Sequence, residues 1–251
     1  MVYRKFAIDL AKEAGKIISR NFKFGMKKQW KADHTPVTKT DIAINKLVIA
    51  KVKKYFPTHG VLGEEESYHS EGKVYLWVCD PVDGTVPFSH GFPTCVFSLA
   101  LVKNGEPILG VVNDPFLNRL VVAEKGKGAF LNGKRTGVSK TKELKRSVVA
   151  ISGKQPGLMK HLNNRYSVKI INLYSYVYQA LLVATGEIVA SFYTYTKAHD
   201  GAAAKIIVEE AGGRATDLSG KDQRYDQNIN GQLVSNGVLH KQLIRLAQQD
   251  L

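Results

Sequence analysis

The sequence predicts a layered α/β protein of α+β character, and three observations carry that expectation. Amphipathic helical patterns open and close the chain, strand-like segments separated by tight turn signals fill much of its first half, and helices alternate with strands in its second half. With 251 residues, 44% of them hydrophobic, the chain can bury a substantial core.

Taken in order, Phe6, Leu10, Ala14, Ile17 and Ile18 recur at helical spacing with Lys, Glu and Arg between them, which predicts a helix over 6–22. The polar run Lys31-Ala32-Asp33-His34-Thr35-Pro36 reads as an exposed loop. A second helix is expected over 41–55, with Ile42, Leu47, Val48, Ile49 and Val52 as its inner face and Pro57 just beyond its end. Residues 74–79 form a continuous apolar run that reads as a buried strand, leading straight into Asp80-Pro81-Val82-Asp83-Gly84-Thr85. Strands over 95–102, 108–112 and 120–123, punctuated by Asn104-Gly105, Asp114-Pro115 and the glycines at 126 and 128, predict an antiparallel meander. Further on, strands are expected over 148–151, 168–171 and 187–193, and helices over 175–185, 200–211 and 239–249. No repeat, low-complexity tract or linker interrupts the chain, so one unit over 1–251 is expected, with two lobes of about 1–140 and 141–251.

Charge and cysteine content narrow the function classes. Against 22 acidic side chains stand 36 basic ones, a formal charge of +14 that attracts anions. The basic residues are spread from Lys5 to Arg245, and no helix-turn-helix, zinc-finger or aromatic RNA-binding signature accompanies them, so no specific nucleic-acid partner is expected. A solvated basic surface that favours small anionic substrates fits better. No apolar run approaches membrane-spanning length and Met1 to Phe6 has no signal-peptide core behind it, so the expectation is a soluble cytoplasmic protein with no membrane partner. Cys79 and Cys95 lie in apolar runs and are expected to be reduced core thiols.

Four short acidic segments carry the chemistry: Thr38-Lys39-Thr40-Asp41, Gly63-Glu64-Glu65-Glu66-Ser67, Asp80-Pro81-Val82-Asp83-Gly84-Thr85 and His199-Asp200-Gly201-Ala202-Ala203. Hard cations such as Mg²⁺ take oxygen ligands, commonly carboxylates with waters and phosphate oxygens, and Asp80, Asp83 and Glu64 supply such oxygens. An Asp-Pro-x-Asp turn at a strand's end can aim both carboxylates at one point, with the Val82 carbonyl between them, and one carboxylate could bridge two ions. Gly84-Thr85 resembles a helix start, where backbone N–H groups favour a phosphate. Taken singly, Asp83-Gly84 is a common turn dipeptide and the Glu64 to Glu66 run could be a solvated loop.

Together, Gly63-Glu64-Glu65, Asp80-Pro81-Val82-Asp83-Gly84-Thr85 and Asp200-Gly201-Ala202-Ala203 followed by Val208-Glu209-Glu210-Ala211-Gly212-Gly213 resemble the signatures of the inositol monophosphatase family, in the same order. The resemblance implies a five-layer αβαβα sandwich and a phosphomonoesterase of small phosphorylated metabolites that uses metal-activated water. It implies Mg²⁺ ions held by Glu64, Asp80, the Val82 carbonyl, Asp83 and Asp200. Asp41 and Thr85 would orient the attacking water, with Glu64 completing the catalytic set, while Gly84, Thr85, Ser175 and Tyr193 would meet the substrate. Family members are often homodimers and lithium-sensitive.

Four departures from the family pattern matter. Val86-Pro87 stands where the family commonly has Thr-Asn, His199 where it has Trp, and Tyr174-Ser175 where it has Gly-Ser. Tyr193 stands seven residues before Asp200, where inositol-specific members carry a glutamate. These weaken inositol phosphate as substrate more than they weaken phosphatase, and leave fructose 1,6-bisphosphate, histidinol phosphate or a nucleotide 3'-phosphate as alternatives. A non-catalytic basic binding protein is the contrasting class. His90 and His199 are expected to be structural, and Lys31 either solvated or steering an anion.

Overall fold

The computed structural model describes residues 2–32, 35–69, 71–195 and 197–249. Helix α1 (Val2–Asn21) begins earlier than the expected residue 6 and turns Ala7, Leu10, Ala11, Ala14 and Ile18 inward, a stripe at helical spacing. A two-stranded antiparallel ribbon follows, β1 (Gln29–Trp30) with β2 (Pro36–Val37). The loop expected over 31–36 therefore ends in a strand, and its Asp33 and His34 lie outside the described residues. Trp30 is exposed, with the Lys28 ammonium 5.2 Å from its ring centroid. Helix α2 (Lys39–Tyr55) buries Ile44, Asn45, Val48, Ile49 and Val52, so the inner face is rotated from the expected one and leaves Ile42 in solvent.

The central layer is a seven-stranded sheet: β3 (Gly60–Gly63), β4 (Tyr75–Asp83), β5 (Val96–Lys103), β6 (Glu106–Asp114), β7 (Arg119–Glu124), β8 (Gly128–Leu131) and β9 (Lys134–Arg135) in that spatial order. The β3–β4 pair is parallel and the rest run antiparallel, which is the meander read from the turn signals. Between β4 and β5 sits α3 (Thr85–Ser89). A second sheet follows, built from β10 (Val148–Ser152), β11 (Lys169–Ile171), β12 (Ala190–Tyr193), β13 (Arg214–Thr216) and β14 (Gln232–Ser235) in the order β11-β10-β12-β14-β13. Interleaved are α4 (Pro156–Tyr166), α5 (Tyr176–Ala184), α6 (Ala198–Glu210) and α7 (His240–Gln248). The strand expected from residue 187 starts at Ala190, because Glu187 is spent on Thr185 and Arg119 in the preceding turn.

Alternation along β4 sets the layers. Trp77 and Cys79 point to the α1/α2 side, while Leu76 and Val78 point to α5 and α6. The helices α5 and α6 lie between the two sheets, and the far face of the second sheet packs Val149, Phe192 and Leu233 against Leu158, Leu162, Leu243 and Leu246 of α4 and α7. The result is the five-layer αβαβα stack implied by the motif resemblance. Outside, Trp77 donates its indole N–H to His59 Nδ1 at 3.2 Å, and His59 stacks on Phe56 and Tyr75, joining α2 to the sheet. Burial lowers the His59 pKa, which suits a neutral acceptor. Both cysteines are free and buried, as expected.

The end of β4 positions the site. The strand does not stop at Cys79 but continues to Asp83, pairing Asp80 with Ser98 and Asp83 with Val96, so three steps on β4 face two on β5. That extra residue is a bulge that breaks the in-out alternation between the two aspartates. Gly84 then takes φ +95°, and a Cβ there would lie 2.8 Å from both Ser175 Cβ and the Thr94 carbonyl oxygen. Gly84→Ala is expected to cost about 1–3 kcal/mol and to lower Tm by about 2–4 °C per kcal/mol. A thermal melt unchanged from the native chain would show that the backbone here relaxes freely.

Candidate active site

Asp83 is held by the start of α5. Its carboxylate accepts backbone N–H bonds from Tyr176, Val177 and Tyr178 at 3.1, 2.8 and 3.2 Å, and the Ser175 hydroxyl closes on Oδ2. A carboxylate at a helix N-terminus satisfies donors that have no partner within the helix. Ser175, expected at the substrate, is buried and turned onto Asp83 instead. Asp80 Oδ1 accepts the Val82 N–H at 3.0 Å, which curls the bulge round its own carboxylate.

Thr38 caps α2 and fixes Asp41. The Thr38 N–H reaches Asp41 Oδ2 at 2.9 Å and the Thr38 hydroxyl bonds the same oxygen, a reciprocal cap legible in the spacing of Thr38 and Asp41. The other oxygen, Oδ1, lies 3.0 Å from the Thr85 hydroxyl, which is also 3.0 Å from the Val82 carbonyl. A hydroxyl has one proton, so Thr85 donates to one of these at a time. Asp41 and Thr85 are thus brought together as the resemblance implied, across 44 residues.

Glu64 and Glu65 are not a solvated loop. Lys31 Nζ bonds Glu64 Oε1 at 2.8 Å and Glu65 Oε1 at 2.6 Å, all three side chains being largely buried, so Lys31 is neither free in solvent nor unengaged. Burial alone would lower the Lys31 pKa, but the two carboxylates outweigh it and raise it. Asn45 frames the same turn, accepting the Glu65 N–H and donating to the Glu66 carbonyl. Glu66 itself is exposed. Neither Lys31 nor Asn45 carries a sequence signal for this role, since both pairings depend on contacts about twenty residues or more apart.

On α6, Asp200 accepts a hydrogen bond from the Tyr193 hydroxyl of β12. Tyr193 is buried, its ring stacked on Tyr176 at 4.4 Å and beside Tyr195 at 5.3 Å. Its hydroxyl therefore serves Asp200, while the expected contact with substrate would fall to the ring. His199, expected to be structural, has its Nε2 3.7 Å from Asp200 Oδ2. His90 is structural: its ring nitrogens meet the Val86 carbonyl and Lys28 Nζ. Tyr174 is exposed at φ +53°, the backbone region that a glycine occupies without strain.

Like charges converge. Ligand atoms of Asp80, Asp83 and Asp200 lie within 4.8 Å of one another; so do those of Asp41, Glu64 and Glu65, and those of Glu64, Asp80 and His199. Burial, then the neighbouring carboxylates, raises Asp80 well above the usual range. Burial, reinforced by Asp200, lifts Asp83 to about 7, and burial lifts Asp200 to about 7 against the pull of the Tyr193 hydrogen bond. Burial likewise raises Asp41 and brings Glu65 to about 7 despite Lys31. His199 is lowered to about 4 by burial. A divalent cation fits this donor set: the oxygens are hard, they converge, and the Lys31 ammonium already draws two of the carboxylates round a positive charge.

Carboxylates too crowded to stand ionised without cations, next to a hydroxyl that can aim a small nucleophile, belong with hydrolases of phosphoric monoesters, whose substrates bring further negative charge. The model of the inositol monophosphatase family matches residues 2–251. A curated Thermotoga maritima fructose-1,6-bisphosphatase/inositol-1-monophosphatase is 35% identical over 85% of this chain and 82% of its own. A histidinol-phosphatase of Chlorobaculum parvum is 33% identical over 96% and 94%. The solved structure of a Thermotoga maritima IMPase superposes with a TM-score of 0.90 at 31% identity, covering 99% of this chain and 98% of its own. The chain belongs to the inositol monophosphatase family and is a phosphoric monoester hydrolase of small phosphorylated metabolites.

The raised carboxyl pKa values set a pH dependence for the metal-free chain. Folded Asp83 and Asp200 keep protons up to about 7 that the unfolded chain releases near 3.8, so stability is highest below that lower value and falls as pH rises to about 7. A cation that replaces those protons is expected to raise Tm more at about pH 8 than at about pH 5. Thermal melts with Mg²⁺ and with chelator check this, and an equal or opposite shift would place cation binding elsewhere.

Proposed function

We propose that the chain is a Mg²⁺-dependent phosphomonoesterase whose preferred leaving group is flatter and less hydroxylated than inositol. The observation that carries the reading is the convergence of Asp80 and Asp83 from the end of β4 and Asp200 from α6 onto one buried point, beside the Asp41–Thr85 pair. Glu64, Asp80, the Val82 carbonyl, Asp83 and Asp200 would hold the ions. When bound, the ions supply charge neutralisation at the phosphate and acidify a water. Asp41, fixed by Thr38, accepts from Thr85, and Thr85 in turn orients the attacking water in line with the ester. Backbone N–H groups at Gly84 and Thr85 face the phosphate, Glu64 completes the catalytic set, and Ser175 holds Asp83 in place. The sequence reads as one unit with lobes of about 1–140 and 141–251, and we take it to act as a cytoplasmic, lithium-sensitive homodimer without nucleic-acid partners. No helix among the described residues is long and apolar enough to cross a membrane.

The substrate preference rests on Tyr193. With its hydroxyl committed to Asp200, its ring stacked on Tyr176 and the Tyr195 ring tilted beside it, Tyr193 gives this part of the pocket an aromatic lining instead of a carboxylate for sugar hydroxyls. Exposed Tyr174 and Tyr195 extend the aromatic character of this region. Such a wall favours the imidazole or nucleobase of histidinol phosphate or a nucleotide over a ring of hydroxyls.

Thr85→Ala is expected to lower kcat by about 10²-fold or more with cation affinity little changed, because its work is orientation. Steady-state kinetics paired with cation titration separate the two, and a parallel loss of affinity would make Thr85 a structural group. Phosphate release from a panel of metabolite phosphates with Mg²⁺ is expected to cease with chelator and to give a higher kcat/KM for an aromatic leaving group than for myo-inositol 1-phosphate. Highest kcat/KM on inositol 1-phosphate would refute the preference, and no release from any substrate would refute the phosphatase.

A further inference from the structure

We propose that His199 is a nitrogen ligand in a cation position shared with Glu64 and Asp80, and that this position therefore takes a first-row transition-metal ion in preference to Mg²⁺. The inference rests on the metal-dependent reading above and goes beyond the oxygen ligands assigned there.

A ring nitrogen of His199 and carboxylate oxygens of Glu64 and Asp80 all lie within 4.8 Å of one another. Two ligands at about 2.1 Å from one octahedral ion stand about 3 Å apart when adjacent and about 4.2 Å when opposite, so small side-chain adjustments close this triad on a single ion. Asp80 also belongs to the group with Asp83 and Asp200, so its carboxylate stands between two positions. His199 opens α6 next to Asp200, with its side chain 12% exposed.

The imidazole is otherwise unemployed. Nε2 is 3.7 Å from Asp200 Oδ2, beyond hydrogen-bonding reach, and neither ring nitrogen forms a hydrogen bond among the described residues. Two other buried histidines are bonded, His59 to Trp77 and His240 to Thr216 and Ser235, while Nε2 of His161 in α4 lacks a partner but also lacks any group of metal-ligating neighbours among the described residues. The His199 nitrogens are left unbonded by protein beside two carboxylates, so they are available to a cation at that point. Imidazole nitrogen strengthens binding along the first-row series and adds little for Mg²⁺, which prefers oxygen. An all-oxygen position would not discriminate in this way.

The test uses the full chain stripped of metal with chelator. Loaded with Mn²⁺, the native protein is expected to show ¹⁴N hyperfine coupling to the ion by pulsed EPR, and His199→Gln to lose it. Titration with Co²⁺, followed by its visible absorption, is expected to show an affinity about 10-fold or more lower in His199→Gln, with Mg²⁺ affinity changed far less. Absence of ¹⁴N coupling in the native protein, a measurement that needs no variant, overturns the proposal, as does equal Co²⁺ affinity in native and variant chains. Phosphate release with Mg²⁺ judges the phosphatase separately: release without nitrogen coupling would leave the enzyme standing and remove His199 from its ligands.

Discussion

Repulsion among buried carboxylates is the constraint on which the rest of the site depends. Two unit charges about 4 Å apart repel by about 4 kcal/mol at an effective dielectric near 20, and ligand atoms of Asp80, Asp83 and Asp200 lie within 4.8 Å of one another, where the repulsion is little weaker. Left to themselves the side chains would swing apart. Donors hold them in place instead: Asp83 is anchored by the first turn of α5, Asp200 by Tyr193 of β12, Glu64 by Lys31, Asp41 by Thr38 at the cap of its own helix, and Asp80 by the Val82 N–H of its own strand. The hydrogen bonds fix geometry without neutralising the cluster, and a site built this way is preorganised for cations.

That anchoring explains why the site sits where the layers meet. Asp83 ends a strand of the seven-stranded sheet, yet the groups that hold it belong to a helix more than ninety residues later, lying between the sheets. The close approach of α5 to the β4 turn leaves no room for a side chain at Gly84, so the motif glycine serves the packing of two distant segments as well as the turn. The bulge between Asp80 and Asp83 has the same logic, trading regular pairing for the convergence of two carboxylates.

Most of the architecture was legible in the sequence because its strands are long and apolar and its turns are marked by Asn-Gly and glycine. What escaped is short or looks like a break. The strands β13 and β14 carry Thr216, Gln232 and Ser235, polar residues whose burial only the finished structure satisfies. Helix α4 contains Asn163 and Asn164 and begins Pro156-Gly157, which resembles a turn although proline is well placed at a helix start. Of the site, the residues in local motifs were legible, including Asp41, Glu64, Asp80, Asp83 and Asp200. The partners that orient them were not, since Lys31 with Glu64, Ser175 with Asp83 and Asn45 with Glu65 are joined only by tertiary structure. Tyr193 shows the limit most clearly: position suggested a substrate contact, whereas geometry commits its hydroxyl to a neighbour.

The two tryptophans are placed so differently that the chain carries two independent optical reporters. Trp77 is wholly inside, its indole bonded to His59, whereas Trp30 is 62% exposed and adjoins Lys31, the residue that clasps Glu64 and Glu65. Emission from Trp77 is shielded from any dissolved quencher until the core opens. Emission from Trp30 is open to an anionic quencher such as iodide, which Lys28 beside the ring would draw in. Quenchable, red-shifted light thus follows the docking of the Lys31 segment and protected, blue-shifted light follows global unfolding, so one fluorescence spectrum resolves an event at the mouth of the site from the integrity of the protein around it.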